Sequence, residues 1–150
     1  MSLFDNCAFD NIIIQTSASA TDLEGEKVVD LAGYDGVCFV GIMDTVTAAG
    51  EIQLYAQFSN SSSTTDMEDD TGTAVGSTAA TTTTDYDDKL LVCDVYKPQY
   101  RYASAHIDKS AQNSEVRVIA IRYRGAKGPV EQSTEQYGVL DGAVFVSPVI

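Results

Sequence analysis

His106 is the only histidine in this 150-residue chain, and so the only side chain whose ordinary pKa lets it pass a proton near neutral pH. It lies in Tyr100–Asp108 (YRYASAHID), and in an extended chain Tyr102 and Ser104 fall on its own side. Hydrolysis by a nucleophile needs an imidazole within hydrogen-bond reach of an oriented serine or cysteine, and no stretch of the sequence supplies that pairing. His106 is therefore expected to be structural or on the surface. Any two of the 22 acids could converge as the carboxylate pair of a glycosidase. A sugar-cleaving site would also offer aromatic platforms, and the chain has no Trp; its eight tyrosines suit sandwich and interface positions better.

The acidic run Asp66–Gly72 (DMEDDTG) invites a calcium reading, because hard cations gather several oxygen ligands. Counted from Asp66, however, the glycine falls at the seventh position rather than the sixth, and the twelfth is Ser77 rather than a bidentate Glu. Asp85–Asp88 (DYDD) is a second acidic cluster, and solvated loop charge accounts for both. Cys7, Cys38 and Cys93 are widely spaced, odd in number and without a CxxC pair, which predicts neither a zinc site nor a disulfide framework. Cys38 and Cys93 sit in apolar segments and read as small buried hydrophobes. Phosphate loops and GxGxxG fingerprints are missing. The sequence thus predicts no enzyme and no cofactor.

Charge narrows the partners. The formal net charge is −13; residues 1–96 hold 17 acids against two bases, and residues 97–150 hold seven bases against five acids. An acidic chain is a poor general ligand for nucleic acid, since phosphate contacts need clustered Lys and Arg. Every apolar run is shorter than the roughly 18 residues a membrane-spanning helix needs. Met1–Phe9 contains Asp5 and lacks a basic region and a long apolar core, so no signal peptide is expected and Asn60-Ser61-Ser62 has no meaning as a glycosylation acceptor.

The segments that would position these residues read as strands. Glu51–Phe58 (EIQLYAQF) places Ile52, Leu54, Ala56 and Phe58 on one side and Glu51, Gln53, Tyr55 and Gln57 on the other, the two-residue period of a half-buried strand. Asn11–Gln15, Lys27–Ala32, Lys89–Tyr96 and Tyr100–Asp108 are further strand candidates, and Ala143–Val146 a last one. Gly36–Met43 (GVCFVGIM) is apolar throughout, which predicts burial on both faces. Glu115–Arg124 (EVRVIAIRYR) puts Val116, Val118 and Ala120 on one side with Arg122 and Arg124, and Ile119, Ile121 and Tyr123 on the other with Arg117, which predicts a central strand, or one central at one end and at an interface at the other. From Ser59 to Thr84, fourteen of twenty-six residues are Ser or Thr, which reads as a long surface loop with one short helical turn near Thr65–Asp70, threonines 81–84 offering an edge strand. The expected organisation is an N-terminal arm over residues 1–10 and a single domain over 11–150. That domain is an all-β antiparallel sandwich, jelly-roll-like, with an insertion loop at 59–84.

Four stretches give the chain a familiar order: SLFDNC (Ser2–Cys7), LAGYDGVCFV (Leu31–Val40), VYKPQYRYASA (Val95–Ala105) and VIAIRYRGAKGPV (Val118–Val130), followed by VFVSP (Val144–Pro148). This order resembles small virion structural proteins of tailed bacteriophages, of the capsid decoration (cement) type. The resemblance implies a non-enzymatic β-sandwich that assembles as a homo-oligomer, a dimer or trimer, and binds the major capsid protein on the outside of an assembled shell in the host cytoplasm. It carries over no catalytic residue, no nucleic acid and no membrane. Apolar residues near both ends (Leu3, Phe4, Val149, Ile150) and the basic group Arg122, Arg124 and Lys127 are the expected partner contacts. A glycan-binding sandwich of a phage tail or head fibre is the alternative, and it would need an aromatic patch flanked by carboxylates and amides.

Overall fold

Side chains that alternate between core and surface along each segment build two antiparallel sheets. The computed structural model describes residues 2–14, 22–44, 51–77, 88–109, 115–124, 131–133, 136–140 and 142. A single helical turn, α1 (Leu3–Asn6), leads into β1 (Cys7–Ile14), then β2 (Leu23–Glu24), β3 (Val29–Asp30), β4 (Gly36–Met43) and β5 (Ile52–Ser59). A short 3-10 turn (Thr64–Asp66) precedes β6 (Glu68–Ser77), and β7 (Leu90–Tyr96), β8 (Tyr102–Lys109) and β9 (Val116–Tyr123) follow. One sheet runs β1-β9-β4-β7; the other runs β2-β8-β5-β6, with β3 pairing along β8 as well.

The pairing is nested: β1 with β9, β2 and β3 with β8, β4 with β7, β5 with β6. A chain paired end to end like one long hairpin, then rolled so that successive pairs fall in opposite sheets, is a jelly roll. The core lies between the sheets: Val37, Phe39 and Met43 of β4 and Val116 and Val118 of β9 face Ile52 and Leu54 of β5 and Ile107 of β8, all fully buried. Each such side chain contributes about 1.5–3 kcal/mol by leaving water. β9 is central, between β1 and β4, as its sequence predicts.

Two expected boundaries change. The arm does not extend to residue 10, because β1 begins at Cys7 and pairs with Tyr123 from its first residue. Gln132 borders it, donating to the carbonyls of Phe4 and Cys7 and accepting from the Phe9 N–H at 3.0 Å. One side chain so occupies backbone groups of β1 that would otherwise form an open sheet edge.

The described part of the expected insertion loop contains a strand. Ser63 caps the turn at Thr64–Asp66, and Glu68–Ser77 then pairs with β5. A register shift opposite Leu54 and Ala56 interrupts that ladder, and there the Thr73 hydroxyl accepts the Ala56 N–H at 2.9 Å while donating to the Asp70 carbonyl at 2.6 Å. A threonine thus replaces a missing backbone partner at the bulge. Ala143–Val146, threonines 81–84 and Asp85–Asp87 lie outside the described residues.

A candidate interaction face

The two outer faces of the sandwich are chemically unlike. On the β1-β9-β4-β7 sheet, alternation turns Phe9 and Ile14 of β1, Ile119 and Ile121 of β9, Cys38, Val40 and Ile42 of β4, and Leu90 and Val92 of β7 away from the core. Ile42 is 42% exposed, Leu90 58%, Val92 51% and Tyr96 55%. Gly36–Met43 is accordingly buried on one face and half open on the other, in place of the two-sided burial that its apolar run predicts. Four strands about 4.8 Å apart, each about eight residues long at about 3.3 Å per residue, make a face of roughly 500 Å². Asn11 of β1, Arg117 of β9 and Asp94 of β7 share that face, so its apolar part is smaller than the whole.

At one end of this face a groove of about 670 Å³ is lined by Leu3, Cys7, Cys38, Asp94, Tyr96, Ile121, Tyr123 and Arg124. Tyr123 crosses it, donating from its hydroxyl to Asp94 Oδ1 at 2.8 Å; burial, then the Asp94 carboxylate, push the phenol well above its usual range. Gly36 makes room for that ring, since a Cβ there would stand 2.2 Å from the Tyr123 hydroxyl. The groove brings together two expected contact residues far apart in sequence: Leu3, 65% exposed on α1, and the exposed Arg124. Phe4 turns elsewhere and is half-buried against Gly142, where a Cβ would come within 2.5 Å of its ring.

Arg122 does not join that surface. Its side chain is only 15% exposed, with Nη2 on Asp10 Oδ2 at 3.0 Å, Nη1 donating to the Asp30 carbonyl at 2.8 Å, and the guanidinium 4.8 Å from the centre of the Tyr34 ring. Asp10 is 3% exposed, and Lys27 pairs with its other oxygen. The strand period assigns Arg122 and Arg124 to one side, but Arg124 has φ +53°, which breaks the alternation just past β9. Arg122 thereby neutralises a buried aspartate of its own chain, and only Arg124 reaches the groove. Lys127, Val149 and Ile150 lie outside the described residues.

The opposite sheet presents Gln53, Tyr55 and Gln57 of β5, His106 and Asp108 of β8, Glu24 of β2 and Asp69 of β6. Beside it a groove of about 520 Å³ is lined by Glu24, Gly25, Gln57, Thr64, Thr65, Met67 and Asp69, with no aromatic ring among them. Cys93 and Cys7 are buried and Cys38 is partly so, and burial raises all three thiols above their ordinary value. Among the described residues no helix is long and apolar enough to cross a membrane.

Residue-type motifs could not reveal Leu90, Val92 and Ile42 as surface groups. The available signal was that Lys89–Tyr96 is apolar at both alternating sets, Leu91 and Cys93 inward and Leu90 and Val92 outward. On an edge strand, that pattern leaves Leu90 and Val92 without a covering layer among the described residues. Fold and faces define a jelly-roll module with one apolar and one acidic side.

No protein-family model matches the chain, and no curated protein sequence does. Among solved structures it is similar to a chain of the disulfide-linked pili of Bacillus endospore appendages, at 16% identity and a TM-score of 0.40, over 80% of this chain and 89% of that one. At that level the likeness carries no argument about function.

Proposed function

We propose that this protein is a non-enzymatic virion structural protein that binds and stabilises an assembled bacteriophage capsid from outside, as a decoration or cement subunit. The observation that carries the reading is the exposed apolar face of the β1-β9-β4-β7 sheet, with the Leu3 and Arg124 groove at its end. A face of that size falls short of the roughly 800 Å² each partner gives to a standard interface, so the rim of Leu3, Tyr96 and Arg124 must be part of the contact. The partner is the major capsid protein, and the acidic opposite sheet faces solvent, where its charge keeps decorated particles apart. Binding to assembled rather than dissociated capsid subunits shifts the equilibrium toward the shell by mass action. If the subunit is itself a dimer or trimer, each later contact gains effective concentration from the first.

Co-sedimentation with shells purified from the virus whose genome carries this chain tests the reading. Saturable binding is expected, together with raised shell stability to heat. Leu90→Asp with Val92→Asp, both at exposed positions, should leave the fold intact and weaken binding at least about tenfold, roughly 1.4 kcal/mol. Shells that bind the double variant as tightly as the natural chain overturn the proposal.

The polar groove on the other sheet favours the second reading in one respect: it offers the carboxylates of Glu24 and Asp69 beside the Gln57 amide. It lacks the aromatic platform that glycan binding uses, so the first reading is preferred. A glycan array that returned a specific ligand whose binding was lost on Gln57→Ala would reverse that order.

A further inference from the structure

The groove beside β6 lacks an aromatic ring, but another, at the end of the sandwich where β7 turns into β8, has two, Tyr34 and Tyr100. It measures about 410 Å³, within the roughly 300–1,000 Å³ of small-ligand sites. Segments 31–35 and 97–101 form its walls, together with Asn60 just past β5. None of its lining residues is on the exposed apolar face, and shell binding makes no use of it.

Both walls are fixed. The Leu31 N–H donates to the Arg101 carbonyl at 2.7 Å and the Lys97 N–H to the Asp35 carbonyl at 2.7 Å, tying one segment to the other. The Arg101 guanidinium grips the Asp30 carboxylate with two donors, at 2.9 and 3.1 Å. Lys97 keeps its place at φ +52°, a left-handed conformation uncommon outside glycine. Tyr100 stacks on Phe58, ring centres 6.2 Å apart and planes 19° from parallel, and is still 50% exposed. Tyr34 has the Arg122 guanidinium 4.8 Å from its ring centre. Each ring is thus braced by its own chain before a ligand arrives, which removes ordering cost from binding.

The polar groups around the rings are left over. Asn60 Oδ1 accepts the Arg101 N–H at 3.4 Å. The described residues give no hydrogen-bond partner to the Asn60 amide nitrogen, the Gln99 side chain or the Asp35 carboxylate. Donors and acceptors are therefore mixed, and charge is balanced, Lys97 and Arg101 standing against Asp35 and Asp30. A phosphate chain needs clustered free cations, and here Arg101 is already paired. A pyranose ring matches better. Its C–H face rests on an aromatic ring, and each hydroxyl on its edge both donates and accepts.

We propose that this end groove binds a neutral oligosaccharide, with a hexose ring on the open face of Tyr100 and its hydroxyls bonded by Asn60, Gln99 and Asp35. Tyr34 supplies the second apolar wall. The site adds a ligand to the shell-binding face and does not rest on it.

The full chain with a terminal tag is applied to an array of neutral plant and bacterial oligosaccharides, and each sugar retained is titrated into the untagged chain by calorimetry. Saturable binding is expected, unchanged by added salt because no net charge is matched. Tyr100→Ala and Gln99→Ala, both at exposed positions, should each weaken it at least about tenfold and leave the circular dichroism spectrum unchanged. Leu90→Asp with Val92→Asp should not affect it, so failure of shell binding and failure of this site are told apart. Single-stranded oligothymidylate should not bind; its capture, abolished by salt, would assign the groove to nucleic acid and overturn the proposal. No sugar retained by the array, or binding that both groove variants keep, overturns it as well. Binding lost on Gln57→Ala but kept by Tyr100→Ala does so too, by placing the sugar on the other sheet.

Discussion

Asp10 and Arg122 show how a buried pair can take a charged residue out of service. Asp10 is almost fully buried between Lys27 and Arg122, and removing one member of such a group leaves the others charged and unpaired. Asp10→Ala should therefore cost about 3–5 kcal/mol by urea unfolding, and a loss below about 1 kcal/mol would show that water already satisfies the cations. Arg122→Glu should destabilise the fold for the same reason, whereas Arg124→Glu should leave unfolding unchanged and weaken only shell binding. This distinction was not legible in the sequence, where a two-residue period puts both arginines on one side. It depends on the positive φ of Arg124, which no residue type announces. Titration belongs to this scale too. Asp108 has its carboxyl raised by burial and by Asp22, so its stabilising contribution is complete below its unfolded value and is lost as pH rises through its folded value. Asp30, held below its ordinary value chiefly by its hydrogen bonds from Arg101, behaves oppositely and loses its contribution as pH falls through its folded value. Melting temperature should thus rise as pH is lowered from neutrality toward the ordinary carboxylate range near pH 4, and Asp108→Asn should flatten that rise. Equal slopes for the variant and the natural chain would contradict the assignment.

Among the elements, the longer strands were readable from their apolar content and their period. β4, β5, β7, β8 and β9 fall within two residues of the segments that sequence alone picks out. β6 was not legible, because its run of Ser, Thr and acids has no apolar period and Val75 is its one large core-facing side chain. What makes it a strand is pairing with β5, helped by Thr73 at the bulge and by Gly76 at φ +116°, where a Cβ would meet the Ile52 carbonyl at 2.2 Å. Its acidic residues suit an edge that must not pair with other chains. Gly76→Ala should cost about 1–3 kcal/mol through that clash and the strained backbone. Thr73→Val should cost about as much by leaving the Ala56 N–H without its acceptor, roughly 1–3 kcal/mol. Circular dichroism melts check both, and an unchanged transition for the pair would return β6 to the status of a loop laid on the sheet.

The whole molecule is a jelly roll because its strands pair in nested order, and nested order is a property of long-range contacts that local sequence does not encode. Alternation and turn residues indicate a sandwich; they cannot say that Cys7 pairs with Tyr123. Function is less legible still, since the apolar face is made of the same Val, Leu and Ile that fill the core. Only the sheet order shows that no layer of the described residues covers Leu90, Val92 and Ile42, while the other sheet carries the carboxylates. Under the proposed function the molecule is divided into an apolar side that would meet the shell and an acidic side that would not. Hydroxyl-radical footprinting of the protein, free and bound to purified shells, measures that division directly. Leu3, Ile42, Leu90, Val92 and Tyr96 should lose reactivity on binding while Tyr55 and Tyr102 keep theirs. Protection of Tyr55 and Tyr102 with continued oxidation of Leu90 and Val92 would contradict it.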